Sequence, residues 1–297
     1  MSTNCFSGVF TALVTPFTNE GSAVDIKSLD TLLDYQLSNG VHGVVACGST
    51  GEAATLTPEE YTSVVRHVVS RVKRAVPVIA GVGANNTAVA IEQAKLLTEL
   101  KVDAVMVVVP PYNKPSQRGL IEHFAAVQKA TPLPIVAYNV PGRTGANLLP
   151  STIKELSERK IISGVKEACG SVDQIYDLLA TERSRLPVFS GDDSLTLPVM
   201  VAGGCGVISV ASNVIPRTLS SLTNAILRGD IASARELHFE ALPIMRALFC
   251  ESNPVPVKEA LRIRKIIAHN AVRLPLLSAT TTTQELLTKL LTSSELQ

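Results

Sequence analysis

The chain has 297 residues, 27 of them Lys or Arg and 26 Asp or Glu, for a formal charge of +1. This balance offers no basic field to a nucleic-acid backbone or an anionic membrane, and no apolar run approaches the roughly 20 residues that cross a bilayer. The length suits two domains or one α/β barrel, a fold of about 250 residues.

The first ten residues, MSTNCFSGVF, lack a basic region followed by an apolar stretch and a cleavage site, so a cytoplasmic location is expected. GVFTALVTP, from Gly8, opens a series of eight short segments rich in β-branched residues, recurring every 25 to 35 residues or about that. Behind it, Asp25 is placed to cap a helix with Leu29, Leu32, Leu33 and Leu37 inward and Gly40 at its end. GVVACGSTGE follows from Gly43. Next, Thr57, Pro58 and Glu60 make a capping box before an inward stripe of Val64, Val65, Val68 and Val72. The series continues with PVIAGVGANNT, AVMVVVPPYN, PIVAYNVPGRTG, IISGVKEACG, PVFSGDDS and GVISVASNV. Every segment begins apolar and ends polar, so in a parallel sheet all the polar ends share one carboxyl edge. From about Pro216 the pattern becomes helical only, with Ala234, Leu237, Ala241, Ile244 and Leu248 on one face. Five cysteines, Cys5, Cys47, Cys169, Cys205 and Cys250, are odd in number and form no CxxC pair. They read as reduced thiols, with metal binding a poor second.

Only a few strand-end residues carry chemistry: Ser49, Thr50, Tyr112, Tyr138, Arg143 and Lys166. Lys166 has three readings: a rim lysine snorkelling to water, a salt-bridged core lysine, or an amine neutral enough to attack a carbonyl. Ile161, Ile162 and Val165 are expected to wall it with apolar surface and lower its pKa, while Glu167 falls on the other side of the strand by alternation. An imine on such a lysine acts as an electron sink, and proton transfers around it suit a phenol. Tyr138 and Tyr112, each followed by Asn, end adjacent strands and with Ser49 form a candidate relay. The GSTGE loop, with Gly48 and Gly51 around two hydroxyls, can turn its N–H groups on an anion. Arg143 offers a planar fork for a second carboxylate.

GSTGE at Gly48 to Glu52, YNVPGRTG at Tyr138 to Gly145, GVKEA at Gly164 to Ala168, SGDD at Ser190 to Asp193 and NPVPVK at Asn253 to Lys258 resemble the dihydrodipicolinate synthase family, within the N-acetylneuraminate lyase superfamily of class I pyruvate aldolases. The similarity runs nearly end to end. It implies a (β/α)8 TIM barrel over residues 1–215, with the last barrel helix and a C-terminal helical extension over 216–297. It also implies a metal-independent lyase that condenses pyruvate with L-aspartate 4-semialdehyde to 4-hydroxy-tetrahydrodipicolinate in the diaminopimelate route to lysine, with no cofactor beyond a covalent lysine imine with pyruvate. By position, Lys166 would be the Schiff-base lysine and Tyr138 the acid/base, with Ser49 and Tyr112 completing the relay. Most members carry Thr where Ser49 stands, so the hydroxyl survives without the methyl that limits its rotamers. Thr50 and the loop amides would hold the pyruvate carboxylate, Arg143 the carboxylate of the semialdehyde, and Gly191 and Ile208 would line the pocket. The family's counterpart of Tyr112 reaches into a neighbouring subunit, which implies a dimer and its usual pairing into a homotetramer.

At the positions where lysine-inhibited members bind lysine, this chain carries Pro58, Tyr61, Val89 and Pro111, keeping only Asn85. A bound lysine's ammonium would lack its carboxylate partner, so feedback inhibition is expected to be weak or absent. Two other functions compete. The superfamily's N-acetylneuraminate lyase and 2-keto-3-deoxy sugar acid aldolases share the lysine, the tyrosine and GSTGE but lack the arginine of RTG, which makes Arg143 the discriminator. A non-catalytic regulatory barrel oligomer would be marked by loss of the lysine or the tyrosine, and both are present.

Overall fold

Each apolar segment gives a short strand, and in the computed structural model, which describes residues 6–182 and 186–293, eight parallel strands close into a barrel in chain order. Cys5 lies outside the described residues. The strands are β1 (Gly8–Ala12), β2 (Gly43–Ala46), β3 (Val78–Val82), β4 (Ala104–Val108), β5 (Ile135–Asn139), β6 (Gly164–Glu167), β7 (Val188–Ser190) and β8 (Gly206–Ser209). Between them run α1 (Ile26–Ser38), α2 (Pro58–Val72), α3 (Thr87–Glu99) and α4 (Gln117–Ala130), then the one-turn α5 (Pro141–Thr144) with α6 (Pro150–Glu158), and finally α7 (Val172–Glu182) and α8 (Thr196–Val201). Beyond β8 the chain is helical, with α9 (Pro216–Leu227), α10 (Ile231–Ala247), α11 (Val255–Ile263) and α12 (Thr281–Ser293). Among the described residues, no helix is long and apolar enough to cross a membrane.

Strand alternation splits the core into two layers. Val9, Val44, Val105, Val165 and Val207 face outward onto the helices. Phe10, Val45, Ile79, Met106, Phe189 and Ile208 fill the interior, where the Phe10 and Phe189 rings meet edge to face at 5.4 Å. Bulk on one strand is matched by its absence on the next: a Cβ on Gly43 would lie 2.1 Å from the Phe10 ring.

The expected caps are present. Asp25 accepts from the Ser28 N–H at 3.0 Å, Gly40 takes the left-handed conformation just past α1, and Thr57 and Glu60 exchange both bonds of the capping box. One expectation for α1 fails: Leu37 is only partly buried, while Gln36 is fully buried. Gln36 accepts from the Thr11 hydroxyl at 2.7 Å and donates to the Asn213 carbonyl at 3.1 Å. A buried amide with its oxygen and an N–H both paired costs little, so apolar spacing alone misplaces this face. In the helical region Ala234, Ala241, Ile244 and Leu248 are buried and Leu237 is partly so.

Candidate active site

Lys166 and Tyr138 stand directly opposite each other on β6 and β5, and Phe189 on β7 is the other register partner of Lys166. All three belong to strands whose inward positions fill the barrel. Lys166 is 4% exposed and its Nζ lies 4.3 Å from the centre of the Tyr138 ring. This removes the rim reading of a lysine reaching for water. The expected walls are wrong, however: Ile161, Ile162 and Val165 turn outward into the helix-facing layer. Period-two alternation sends Val165 away from its neighbour Lys166, so the apolar surface beside the amine comes from the adjacent strands.

The salt-bridge reading loses its nearest candidate as well. Glu167 points away from Lys166 and accepts from Asn139 Nδ2 at 3.0 and 3.1 Å and from the Cys169 N–H at 2.9 Å. Burial raises its pKa, against the pull of those donors. Asn139 in turn accepts from the Leu148 N–H at 2.9 Å, so this buried pair fixes the segment that carries Arg143. Asp192, after β7, is the acid that senses the lysine. Burial pushes its pKa up and the charge of Lys166 pulls it down. Asp193 is occupied elsewhere, taking the Val210 and Ala211 N–H groups at 3.1 and 2.9 Å and tying down the end of β8.

A cavity of about 410 Å³ opens beside Tyr138, with Ser49, Arg143 and Asn253 among its walls. Tyr138 both lines this cavity and touches Lys166, so it connects the two. In the GSTGE loop the N–H groups of Gly51, Glu52 and Ala53 are spent on Gly48 and Ser49 carbonyls. Those of Ser49 and Thr50 donate to no acceptor among the described residues, which leaves two adjacent donors for an anion. Ser49 is exposed, while Thr50 is buried and its Oγ1 accepts from Asn253 Nδ2 at 2.9 Å. Cys47 also lines the cavity, but burial pushes its thiol up to about 12, so it stays protonated and a poor nucleophile.

Arg143 sits on the one-turn α5 and donates from Nη2 to the Asn253 carbonyl at 3.2 Å. Gly191 donates its N–H to the Glu167 carbonyl at 2.7 Å, and a Cβ there would be 2.5 Å from that of Ala168. Ile208 is fully buried in the barrel interior. Tyr112 does not join them: it is 88% exposed, with φ of 75°, and its N–H is held by the Thr144 carbonyl at 3.0 Å. The site thus gathers Lys166, Tyr138, Ser49, Thr50 and Arg143 around the carboxyl edge and leaves Tyr112 projecting from the surface.

Sequence reasoning assigned no role to Asn253, Asn139 or Asp192. Asn253 opens the quoted NPVPVK motif, and its place among helical residues gave no sign that it returns to the mouth of the barrel. Asn139 and Asp192 lay inside quoted motifs, next to residues with more obvious chemistry.

The model of the dihydrodipicolinate synthetase family matches residues 5–294. A 4-hydroxy-tetrahydrodipicolinate synthase of Geobacter metallireducens is 46% identical over 271 residues, 91% of this chain and 92% of that protein. A dihydrodipicolinate synthase structure from Thermotoga maritima superposes with a TM-score of 0.96 at 42% identity, covering 99% of this chain and 100% of that one. The chloride-inhibited dihydrodipicolinate synthase of Acinetobacter baumannii, solved in complex with pyruvate, gives 0.95 at 38% identity, covering 98% and 99%. With identity of this order across nearly the whole length and the same closed barrel, the chain belongs to the dihydrodipicolinate synthetase family.

Proposed function

We propose that the chain condenses pyruvate with L-aspartate 4-semialdehyde to 4-hydroxy-tetrahydrodipicolinate, the lyase step of the diaminopimelate route to lysine, through an imine on Lys166. The observation that carries this reading is the buried lysine against Tyr138, beside a cavity that Arg143 borders. The Lys166 amine adds to the pyruvate keto carbon, and water leaves to give the iminium. Tyr138, in contact with the lysine, is placed to hand a proton to the departing hydroxyl. Ser49 and Tyr112 act as its relay, Tyr112 belonging to the site of a neighbouring subunit, which suits its exposure on its own chain. The free N–H pair and the Thr50 hydroxyl hold the pyruvate carboxylate. Loss of a methyl proton gives the enamine, whose carbon attacks the aldehyde. The substrate's amino nitrogen then closes the ring on the former keto carbon and releases the lysine.

Arg143 favours the semialdehyde over the sugar aldehydes of related aldolases, because a guanidinium fork matches a carboxylate and a polyol offers none. Turnover of aspartate semialdehyde with pyruvate, measured against sugar aldehydes, tests this directly. Arg143→Ala should raise the KM for the semialdehyde about 10- to 100-fold, the size of a lost charged hydrogen bond, and leave that for pyruvate nearly unchanged. Equal rates with a sugar aldehyde would overturn the assignment.

The exposed Tyr112 supports a homo-oligomer, a dimer paired into a homotetramer. Lysine feedback is expected to be weak. Tyr61 is buried with its hydroxyl given to the Gly81 carbonyl at 2.7 Å, Pro58 is the first residue of α2, and the exposed Val89 replaces the acid. Millimolar lysine should therefore leave the rate almost unchanged; half-inhibition at micromolar lysine would refute this.

A further inference from the structure

Asn253 occupies an unusual place in the cavity wall. It is 6% exposed, its Nδ2 donates to Thr50 Oγ1 at 2.9 Å, and its backbone carbonyl accepts from Arg143 Nη2 at 3.2 Å. One residue from the C-terminal helical region thus touches both proposed carboxylate-binding side chains. Its remaining side-chain polar atom, Oδ1, is buried and accepts nothing among the described residues. A buried acceptor left unpaired is costly, and such atoms at a cavity wall mark where a donor is wanted.

We propose that Asn253 is a specificity-determining residue whose Oδ1 accepts a hydrogen bond from the α-amino group of the aldehyde substrate. This rests on the function proposed above. An α-carboxylate and an α-amino group share one carbon, so a substrate gripped by Arg143 through the first brings the second beside the residue to which Arg143 is bonded. The other carboxylate and amide side chains lining the cavity are engaged. Glu52 Oε1 is bound by Lys258 Nζ and Oε2 accepts the Arg273 N–H at 3.0 Å, while Gln93 Oε1 accepts the Gly83 N–H at 3.1 Å. A neutral amide is also the acceptor that fits here, since a carboxylate beside Thr50 would repel the pyruvate carboxylate. The donor to Thr50 has a further effect: with its oxygen already accepting, the Thr50 hydroxyl proton is left to point at the pyruvate carboxylate.

The test compares aspartate semialdehyde with 4-oxobutanoate, the same aldehyde without the amino group, in the full-length enzyme with pyruvate. Asn253→Ala should lower kcat/KM for aspartate semialdehyde about 10- to 100-fold, the range for one hydrogen bond to a charged group. The inhibition constant of 4-oxobutanoate should stay within about twofold, because that molecule never used Oδ1. Retention of the borohydride-trapped pyruvate adduct on Lys166 shows that the variant is folded. Asn253→Asp, which keeps an acceptor, should preserve the preference for the amino-bearing aldehyde while raising the KM for pyruvate. Equal losses for both aldehydes, no loss for either, or an Asp variant without the preference would each overturn the assignment of Oδ1. A wild-type enzyme that turns over pyruvate with neither aldehyde would overturn the proposed function, and this inference with it.

Discussion

Replacing Lys166 by alanine is expected to cut turnover by about 10³-fold or more, since it removes the amine beside Tyr138 whose imine makes pyruvate a nucleophile. Borohydride reduction in the presence of pyruvate should add one pyruvate-derived mass to the peptide that contains Lys166, and nothing to the variant. The rival within this chain is Lys258, the other buried lysine, whose pKa burial pulls down to about 8 against the opposing charge of Glu52. A lowered pKa makes Lys258 a candidate amine. Its surroundings decide otherwise: its Nζ is bound to Glu52 and to the Ala271 carbonyl at 2.8 Å, and it faces the Phe17 ring at 4.0 Å. Lys166 instead has Tyr138 beside it and the cavity beyond. Lys166→Arg should be as inactive as the alanine variant, because a guanidinium keeps its charge and does not attack a carbonyl. An adduct on Lys258, or activity surviving in Lys166→Ala, would sink the mechanism.

The barrel was legible in the sequence because its signals are local and repeated. Each of the eight apolar segments became a strand, and the capping box at Thr57 and Glu60 formed as its spacing required. Most of the reactive edge was legible for the same reason: once parallel strands share one polar end, Ser49, Tyr138, Arg143 and Lys166 must converge. What failed to show was decided by contacts distant in sequence. Gln36 is buried because Thr11 and Asn213 pair with it, and nothing within its own helix reports that. Val165 looked like a neighbour of the Lys166 amine because it is adjacent in sequence, and adjacency in a strand means opposite faces. Asn253 reaches Thr50 across 203 residues, a separation that no periodicity spans. The pattern from Pro216 onward read as helical only, yet Ser252, Asn253 and Pro254 within it complete the wall of the cavity.

Lys258 gives that completion its energetic weight. Its side chain and that of Glu52 are essentially unexposed, one on α11 and the other in the loop that presents Ser49 and Thr50. Removing one member of such a pair strands the other charge in the interior, and Lys258→Met is expected to cost about 3–5 kcal/mol, a large part of the about 5–15 kcal/mol that holds a domain folded. Among the described residues, Glu52 would keep only the Arg273 N–H as a donor. Glu52→Gln should be destabilising for the mirror reason, yet the double variant should lose less than the two single losses combined, because the second change removes the charge that the first left unpaired. Urea unfolding of the four proteins measures this coupling, and strict additivity, or a single-variant loss below about 1 kcal/mol, would show that the pair behaves like a surface contact. Because α11 follows directly on Asn253, a weakened pair also loosens the residue bonded to Thr50 and Arg143. The Lys258→Met enzyme that remains folded should therefore bind pyruvate less tightly while still forming the Lys166 adduct, linking the stability of the tail to the geometry of the site.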